Sequence, residues 1–242
     1  MKTAAFLDFD GVICDSILEC FVSSYIAYYK NVVKKMPDSL PADIYRRFKT
    51  LRPYIRRGAD YLLLHKILNE GTDCESQNEF DRILKKNGQE LSDTFHNEFY
   101  DVRERMIIQE REYWLSLNKI YQGLEEGLRQ WAHNGRIIIL STKKTEFIHE
   151  ILLHSGIDWP VERIIYSGKE NKSEIIKRML NVLDAGRAFF VEDQIDHLDN
   201  IQSPLIEGCL ASWGYVQEDW LSRPGICVLD IHGFLEKMKR EF

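Results

Sequence analysis

Near the start of the chain, the stretch Phe6-Leu7-Asp8-Phe9-Asp10-Gly11-Val12 decides how the rest of the sequence is interpreted. The apolar run Ala4-Ala5-Phe6-Leu7 has the length of a buried strand, and two acidic residues and a glycine follow it. Asp8 and Asp10 are two positions apart, so on an extended backbone their side chains project to the same side. Gly11 permits a sharp turn and a close approach of the backbone to a ligand. The stretch therefore predicts a strand whose C-terminal end carries two carboxylates into one crevice, as a cation-dependent reaction centre requires.

The same residues also fit a simpler interpretation, in which Asp8 and Asp10 only stabilise a loop. Aspartate is common in short turns because its side chain hydrogen-bonds to its own backbone. A chemical role is favoured because Asp8 lies within an otherwise apolar stretch, where an unpaired carboxylate is costly unless a metal or another cation faces it.

Length and composition indicate an ordinary globular protein. The 242 residues fit one α/β domain, or one domain with an insertion, and 44% of them are hydrophobic and 29% charged. A net charge of −6 argues against general nucleic-acid binding, and no apolar run approaches the ~20 residues that a membrane-spanning helix needs. Met1-Lys2-Thr3 leads directly into the first strand, so we expect no signal peptide.

The five cysteines, Cys14, Cys20, Cys74, Cys209 and Cys227, are odd in number and scattered along the chain. The sequence contains no Cys-x-x-Cys pair, so it predicts neither a disulfide framework nor a zinc site. We expect reduced, mostly buried thiols and a cytoplasmic location.

The periodicity of the chain changes at two points. Residues 15–118 show helical periodicity, with helices predicted at 17–29, 59–68, 79–84 and 92–117. From residue 119 onward, helices (123–134, 145–154, 172–183) alternate with strands (136–141, 163–167, 188–193, 208–212, 226–230). This alternation predicts an α/β fold, a doubly wound parallel sheet formed by residues 1–14 and 119–242. The remaining residues, 15–118, would form an α-helical insertion in the first loop.

Chemically useful side chains follow four of the predicted strands. Ligands of open parallel sheets bind where the strands end. After the first strand come Asp8 and Asp10; the later groups are Ser141-Thr142-Lys143-Lys144, then Lys169 and Lys172, then Glu192-Asp193 with Asp196. Acids, a hydroxyl and lysines at successive strand ends form a set suited to phosphate and Mg²⁺.

On these residues the sequence resembles the haloacid dehalogenase superfamily, and in particular its phosphoglycolate phosphatase-like members. The stretch Asp8-Phe9-Asp10-Gly11-Val12-Ile13-Cys14-Asp15-Ser16 matches their first motif, Asp-x-Asp-Gly-Val-x-x-Asp-Ser. The strand 137–141, ending in Ser141, matches the second motif, whereas the lysine and the acidic strand end match the third and fourth less closely. The resemblance implies a Rossmann-like catalytic core, with residues 15–118 as the family's helical cap.

The resemblance also implies an activity, a Mg²⁺-dependent phosphatase acting on a small phosphorylated metabolite. Asp8 would be the nucleophile that forms an aspartyl-phosphate, and Asp10 the general acid and base. The remaining implied roles are these: metal ligands Asp8, Asp10 and Asp193; catalytic Ser141 and Lys172; substrate-binding Gly11, Thr142 and Lys143. The acid at position 10 separates phosphatases and phosphomutases from dehalogenases, which lack it, and from transport ATPases, which have threonine there.

Several alternatives stay open at this point. The motif lysine is Lys169 or Lys172, and we favour Lys172 because it opens the predicted helix that follows. Glu192 is either a second acid near the metal or a side chain that projects beside it. Asp196 is either an outer acid of the site or the first residue of a helix, where acids are favoured. Trp213-Gly214-Tyr215 either walls the site, as in the resembled phosphatases, or serves packing alone.

The function has alternatives as well. A phosphomutase or a phosphonate hydrolase would use the same scaffold, and a non-catalytic phosphate-binding protein is a third interpretation. The sequence leaves the substrate and the oligomeric state open, since selectivity would reside in residues 15–118, where no motif is recognisable.

Overall fold

The chain folds into two compact units. A computed structural model describes residues 1–34, 40–58, 60–87 and 89–242. The first unit consists of Met1–Asp15 and Lys119–Phe242, and the second of Ser16–Asn118. The predicted helix start at Ala59 lies outside the described residues.

Eight strands form two sheets in the first unit. In chain order they are β1 (Thr3–Leu7), β2 (Cys14–Asp15), β3 (Lys119–Ile120), β4 (Ile137–Ser141), β5 (Ile164–Tyr166), β6 (Arg187–Glu192), β7 (Ile206–Ala211) and β8 (Cys227–Leu229). Six of them make a parallel sheet in the order β5-β4-β1-β6-β7-β8. The predicted parallel α/β sheet is thereby confirmed.

The central position of β1 explains its composition and the location of its acids. Leu7 lies opposite Ile139 of β4 on one side and Val191 of β6 on the other, and every residue of β1 is buried. A strand covered on both faces favours a continuous apolar run over an alternating one. The strand order also reverses on the two sides of β1, so the residues after it stand where doubly wound sheets bind ligands.

Six α-helices, with a π-helical turn at Tyr28–Val33 and a short 3₁₀ helix at Arg52–Tyr54, are found in the described part of the second unit. They are α1 (Ile17–Ala27), α2 (Ala42–Leu51), α3 (Asp60–Glu70), α4 (Gln77–Asn87), α5 (Gln89–Gln109) and α6 (Arg111–Ser116). The single helix predicted over 92–117 is wrong, because the backbone leaves the helical region at Glu110, with φ −138° and ψ 43°. That residue separates α5 from α6.

The buried polar side chains of this helical unit include His65, which lies among aromatic rings. His65 stacks on Tyr28, packs near Phe21 and Phe48, and its Nε2 lies 2.7 Å from the Ser24 hydroxyl. Burial lowers the pKa of His65 to about 3.

Glu19 and Arg103 form a buried ion pair in the same unit. Arg103 donates from Nε and Nη2 to the two oxygens of Glu19 at 2.8 and 2.6 Å, and Trp114 Nε1 donates to the same carboxylate. Both members of the pair are almost completely buried.

Five α-helices of the first unit precede, connect or follow the strands of the parallel sheet. They are α7 (Glu125–Trp131), α8 (Thr145–His154), α9 (Lys172–Val182), α10 (Ile195–Asp199) and α11 (Ile231–Glu241). The sequence predicts α8 at its observed bounds, whereas α7 is five residues shorter than the predicted 123–134. Among the described residues, no helix has both the length and the apolar character needed to cross a bilayer.

A two-residue antiparallel ladder joins β2 to β3, at the two points where the chain leaves and re-enters the first unit. Cys14 pairs with Ile120 and Asp15 with Lys119. Tyr121 adds a backbone hydrogen bond to the Ile13 carbonyl at 3.0 Å. Two-residue runs carry no periodicity, so the sequence predicts no strand at either place.

Candidate active site

The Asp8 side chain lies at the C-terminal end of β1, against a hydroxyl and an ammonium group. Its backbone N–H still belongs to the sheet and donates to the Val191 carbonyl at 2.9 Å. Ser141, the last residue of β4, neighbours the Asp8 carboxylate, and its hydroxyl acts to lower the pKa of that group. Lys172 Nζ, from the first turn of α9, lies 3.0 Å from Asp8 Oδ1. Both Asp8 and Lys172 are nearly inaccessible to solvent, with exposed fractions of 6% and 3%.

Opposing effects act on the ionisation of this pair. Burial and the neighbouring charge of Glu192 raise the pKa of Asp8 to about 6, although Lys172 and Ser141 act in the opposite direction. Burial alone would lower the pKa of Lys172, but the carboxylates of Asp8 and Glu192 outweigh it and raise that pKa. Lys172 is therefore a fixed cation, while Asp8 is a carboxylate that a proton or a second cation can neutralise.

Glu192, the last residue of β6, holds Lys172 in place. Its Oε2 accepts from Lys172 Nζ and from His197 Nδ1, both at 2.7 Å. Its Oε1 accepts from the backbone N–H groups of Asp193 and Gln194, both at 3.1 Å. Burial alone would raise the pKa of Glu192, but Lys172 and His197 outweigh it and lower that pKa. Each oxygen thus has two donors, and Glu192 acts as an anchor for the lysine.

Asp193 is fixed by two glycines and one backbone N–H. The Tyr215 N–H donates to Asp193 Oδ2 at 2.9 Å. A Cβ atom added to Gly11 would lie 2.0 Å from this Oδ2, and one added to Gly214 would lie 2.5 Å from Asp193 Cβ. Gly11 also has φ +83°, in the region that side chains disfavour. The close approach therefore requires glycine at both positions.

Asp10 and Lys143 form a second ion pair beside the first. Lys143 Nζ donates to Asp10 Oδ1 at 2.9 Å, and the lysine side chain is almost fully buried whereas Asp10 remains partly accessible. The loop after β4 places Lys143, since its backbone N–H donates to the Ser141 hydroxyl at 3.3 Å. The partly exposed carboxylate of Asp10 is thus oriented by a buried ammonium group.

The structure brings most of the predicted site residues together at one edge of the sheet. Asp8, Ser141, Lys172 and Asp193 gather there, with Gly11 packed on Asp193. The Asp10–Lys143 pair lies next to this group, since the charge of Asp10 contributes to raising the pKa of Asp8. Thr142 follows β4 directly and is half-buried. Lys169 is exposed, and Asp196 lies in the first turn of α10.

Three contributors were not assigned from the sequence. These are the anchoring of Lys172 by Glu192, the contact of His197 with Glu192, and the backbone N–H of Tyr215 on Asp193. The glycine of Trp213-Gly214-Tyr215 was the available signal, since a glycine after a short strand often marks a close backbone approach.

The acidic residues of the site fit a hard divalent cation. One oxygen from each of Asp8, Glu192 and Asp193 lies within 4.8 Å of the others. Because the Glu192 oxygens already accept four hydrogen bonds, Asp8 and Asp193 are the members able to give an oxygen to a cation. Carboxylate oxygens supplemented by water are the donor set that Mg²⁺ prefers.

Comparison with known proteins identifies the fold. No protein-family model and no curated protein matches the sequence. Among solved structures, a predicted phosphoglycolate phosphatase from Haemophilus somnus 129PT aligns with a TM-score of 0.62 at 16% identity, covering 98% of this chain and 97% of that one. A haloacid dehalogenase-like family hydrolase from Streptococcus pneumoniae aligns with a TM-score of 0.58 at 15% identity, covering 99% and 98%.

These similarities define a class of structure: the chain has the haloacid dehalogenase fold, as the resemblance of its first motif implies. The same fold is shared by Protein Tyrosine Kinase A from Mycobacterium tuberculosis, with a TM-score of 0.61 at 14% identity over 98% of this chain and 97% of that one. Since one fold supports different activities, the activity of this chain has to be argued from its own site.

Proposed function

We propose that this protein is a Mg²⁺-dependent phosphatase that hydrolyses a small phosphorylated molecule through an aspartyl-phosphate. The observation that carries the proposal is the position of Asp8, a buried carboxylate at the end of β1 that lies 3.0 Å from Lys172 Nζ and neighbours the Ser141 hydroxyl. A carboxylate nucleophile needs hydrogen-bond donors and positive charge close to the phosphoryl oxygens, and these two groups supply them.

In the first step, an Asp8 oxygen attacks phosphorus and the bond from phosphorus to the leaving oxygen breaks. Asp10 delivers a proton to that oxygen, so the product leaves as an alcohol. Ser141 and Lys172 stabilise the negative charge on the phosphoryl oxygens. Asp8 ends this step as an acyl phosphate, and Asp10 as a carboxylate paired with Lys143.

In the second step, Asp10 accepts a proton from a water molecule, whose oxygen attacks phosphorus. The bond between phosphorus and Asp8 breaks, inorganic phosphate leaves, and the Asp8 carboxylate is restored. The ion pair between Asp10 Oδ1 and Lys143 Nζ, at 2.9 Å, suits this step because it orients a carboxylate that takes up a proton.

The cation would be held by Asp8, Asp193 and the backbone carbonyl of Asp10. When bound, Mg²⁺ supplies positive charge that offsets the repulsion between the phosphoryl group and the Asp8 carboxylate. Gly11 and Gly214 contribute indirectly, because they let the Asp193 carboxylate lie against the backbone. We assign Thr142 to phosphate binding and Ser16–Asn118, the helical unit, to recognition of the rest of the substrate.

The proposal is tested by measuring phosphate release from a panel of phosphorylated metabolites in the presence of Mg²⁺. We expect the wild type to release phosphate from at least one class, Asp8→Asn to be inactive, and Asp158→Asn, at an exposed aspartate, to match the wild type. Mass spectrometry of an acid-quenched reaction should detect one phosphoryl group on Asp8. Wild-type rates equal to those of Asp8→Asn on every substrate, with both proteins binding Mg²⁺, would contradict the proposal.

The same panel separates the alternatives that use this scaffold. A phosphomutase would convert a sugar phosphate to its isomer with little free phosphate. A phosphonate hydrolase would cleave a carbon–phosphorus bond and would need a lysine able to form a Schiff base with the substrate. Binding of phosphorylated ligands without turnover would indicate a non-catalytic phosphate-binding protein.

A further inference from the structure

Two cysteines and a carboxylate meet at the β7–β8 edge of the parallel sheet. Cys209 of β7 and Cys227 of β8 are direct neighbours in the strand register. Glu207 precedes Cys209 by two positions on the same strand, so both side chains project from one face. The two sulfur atoms and one Glu207 oxygen all lie within 4.8 Å of one another.

One helix covers this face and contributes a cation. Lys237 of α11 donates to Glu207 Oε2 at 2.8 Å, and its Nζ also lies 4.9 Å from the centre of the Phe189 ring. Cys209 is fully buried, whereas Cys227 is partly exposed and Glu207 is exposed. The cluster therefore has an inner wall of protein and an outer side open to solvent.

We propose that Glu207, Cys209 and Cys227 form a metal site for a thiophilic divalent cation of the zinc class. Two thiolates and a carboxylate are a donor set of borderline softness that Zn²⁺ accepts and Mg²⁺ does not. In a tetrahedral zinc site, with sulfur at ~2.3 Å from the metal, two sulfur ligands are ~3.8 Å apart. The observed spacing, at most 4.8 Å, requires only small side-chain adjustments to reach that value.

The charges of the site balance when such a metal is bound. Two thiolates and the Glu207 carboxylate carry three negative charges, and the dication with the Lys237 ammonium carries three positive charges. Binding breaks two S–H bonds, releases two protons to solvent and forms two metal–sulfur bonds, with no change of oxidation state. A water molecule would take the fourth position, on the exposed side.

The location gives the site a structural role. β8 is a three-residue strand at the end of the strand order β5-β4-β1-β6-β7-β8, where it pairs with β7. A metal bound by one cysteine from each strand cross-links them, so it should stabilise the folded state by mass action.

The test is a Co²⁺ titration of the reduced, full-length protein, with oxygen excluded and Mg²⁺ in excess. Sulfur-to-cobalt charge-transfer absorption reports only thiolate ligation, so Co²⁺ bound by the carboxylates around Asp8 does not contribute to it. We expect one equivalent of Co²⁺ to develop this absorption, to release two protons and to be displaced by Zn²⁺. The melting temperature should rise when Zn²⁺ is added.

Variants locate the ligands. Cys209→Ser and Cys227→Ser should each lower the absorption by half or more and the double variant should abolish it, whereas Cys74→Ser, at a buried cysteine of the helical unit, should retain it. Glu207→Gln should weaken Co²⁺ affinity by at least ~10-fold, which is the loss seen when a residue that only hydrogen-bonds to a metal ligand is replaced. If Cys209→Ser does not fold, the partly exposed Cys227 and exposed Glu207 variants decide.

Three results would overturn the proposal. The first is a wild-type protein without sulfur-to-cobalt absorption. The second is absorption of undiminished intensity in Cys227→Ser. The third is a protein that takes up no metal and that a mild disulfide reagent oxidises to a Cys209–Cys227 disulfide. The last result would assign the pair to thiol–disulfide chemistry instead.

Discussion

Replacing Gly11 by alanine tests whether the position of Asp193 controls the site. The added Cβ would lie 2.0 Å from Asp193 Oδ2, whereas ordinary contacts begin at 3.4 Å, so one of the two atoms must move by about 1.4 Å. The φ of +83° adds a strain of roughly 1–2 kcal/mol for any residue with a side chain. A displacement of ~1 Å in a catalytic group costs on the order of 100-fold in rate.

Gly123→Ala provides the matched control. Gly123 has φ +92°, and a Cβ there would meet no atom of the described residues within 4 Å, so this variant has the strain without the collision. We expect the two variants to lose about the same free energy of unfolding in urea. Only Gly11→Ala should lose phosphatase activity, by about 100-fold. It should also need more Mg²⁺ for half-maximal activity and for thermal stabilisation.

The outcome that refutes this reasoning is equal activity of the two variants with equal Mg²⁺ requirement. It would mean that Asp193 adapts to the added methyl group without cost, or that Asp193 does not hold the cation. A melting temperature much lower for Gly11→Ala than for Gly123→Ala would instead show that the collision destabilises the whole first unit.

Three further predictions concern buried ionisable side chains. Lys172→Met should lower kcat by ~100-fold or more and destabilise the protein by about 3 kcal/mol, because the buried carboxylates of Asp8 and Glu192 lose their cation. Lys169→Met, at an exposed site, should change neither kcat nor stability. Kinetics and urea unfolding check both variants. The pKa of His65 is about 3 in the folded protein and ~6.5 in the unfolded chain. As pH falls, the unfolded chain therefore takes up the proton first, and the folded state should lose about 2 kcal/mol of stability between pH 7.5 and 5. His65→Gln should flatten that dependence in urea titrations, and an unchanged slope would contradict the assignment. Arg103→Met should cost roughly 3–5 kcal/mol because the buried Glu19 carboxylate loses its cation, and a double replacement of both by methionine should recover much of it.

The sequence predicted the parts of the fold that depend on local pattern. The apolar run before Asp8 and the alternation after residue 119 are periodic signals, so the parallel sheet and α8 are found close to their observed positions. The helix predicted over 92–117 failed at Glu110, where no glycine or proline marks the break between α5 and α6.

The candidate site was predictable only as a set of strand ends. The sequence alone shows the spacing of Asp8 and Asp10 and the position of Lys172 at the start of a predicted helix. The four donors on Glu192 and the pairing of Asp10 with Lys143 depend on distances between elements, which the sequence does not encode locally. The same limit explains Cys209 and Cys227: they are separated in sequence, and only the register of β7 and β8 makes them neighbours.

The ladder between β2 and β3 has a consequence for how this protein could diversify. Cys14 and Asp15 pair with Ile120 and Lys119, so the two ends of the segment Ser16–Asn118 emerge from adjacent, hydrogen-bonded positions. A segment whose ends are already neighbours can be lengthened, shortened or exchanged with little change in the backbone that receives it. The β2–β3 ladder belongs to the first unit, as do the residues around Asp8. The inserted segment can therefore change during evolution while the residues around Asp8 keep their positions.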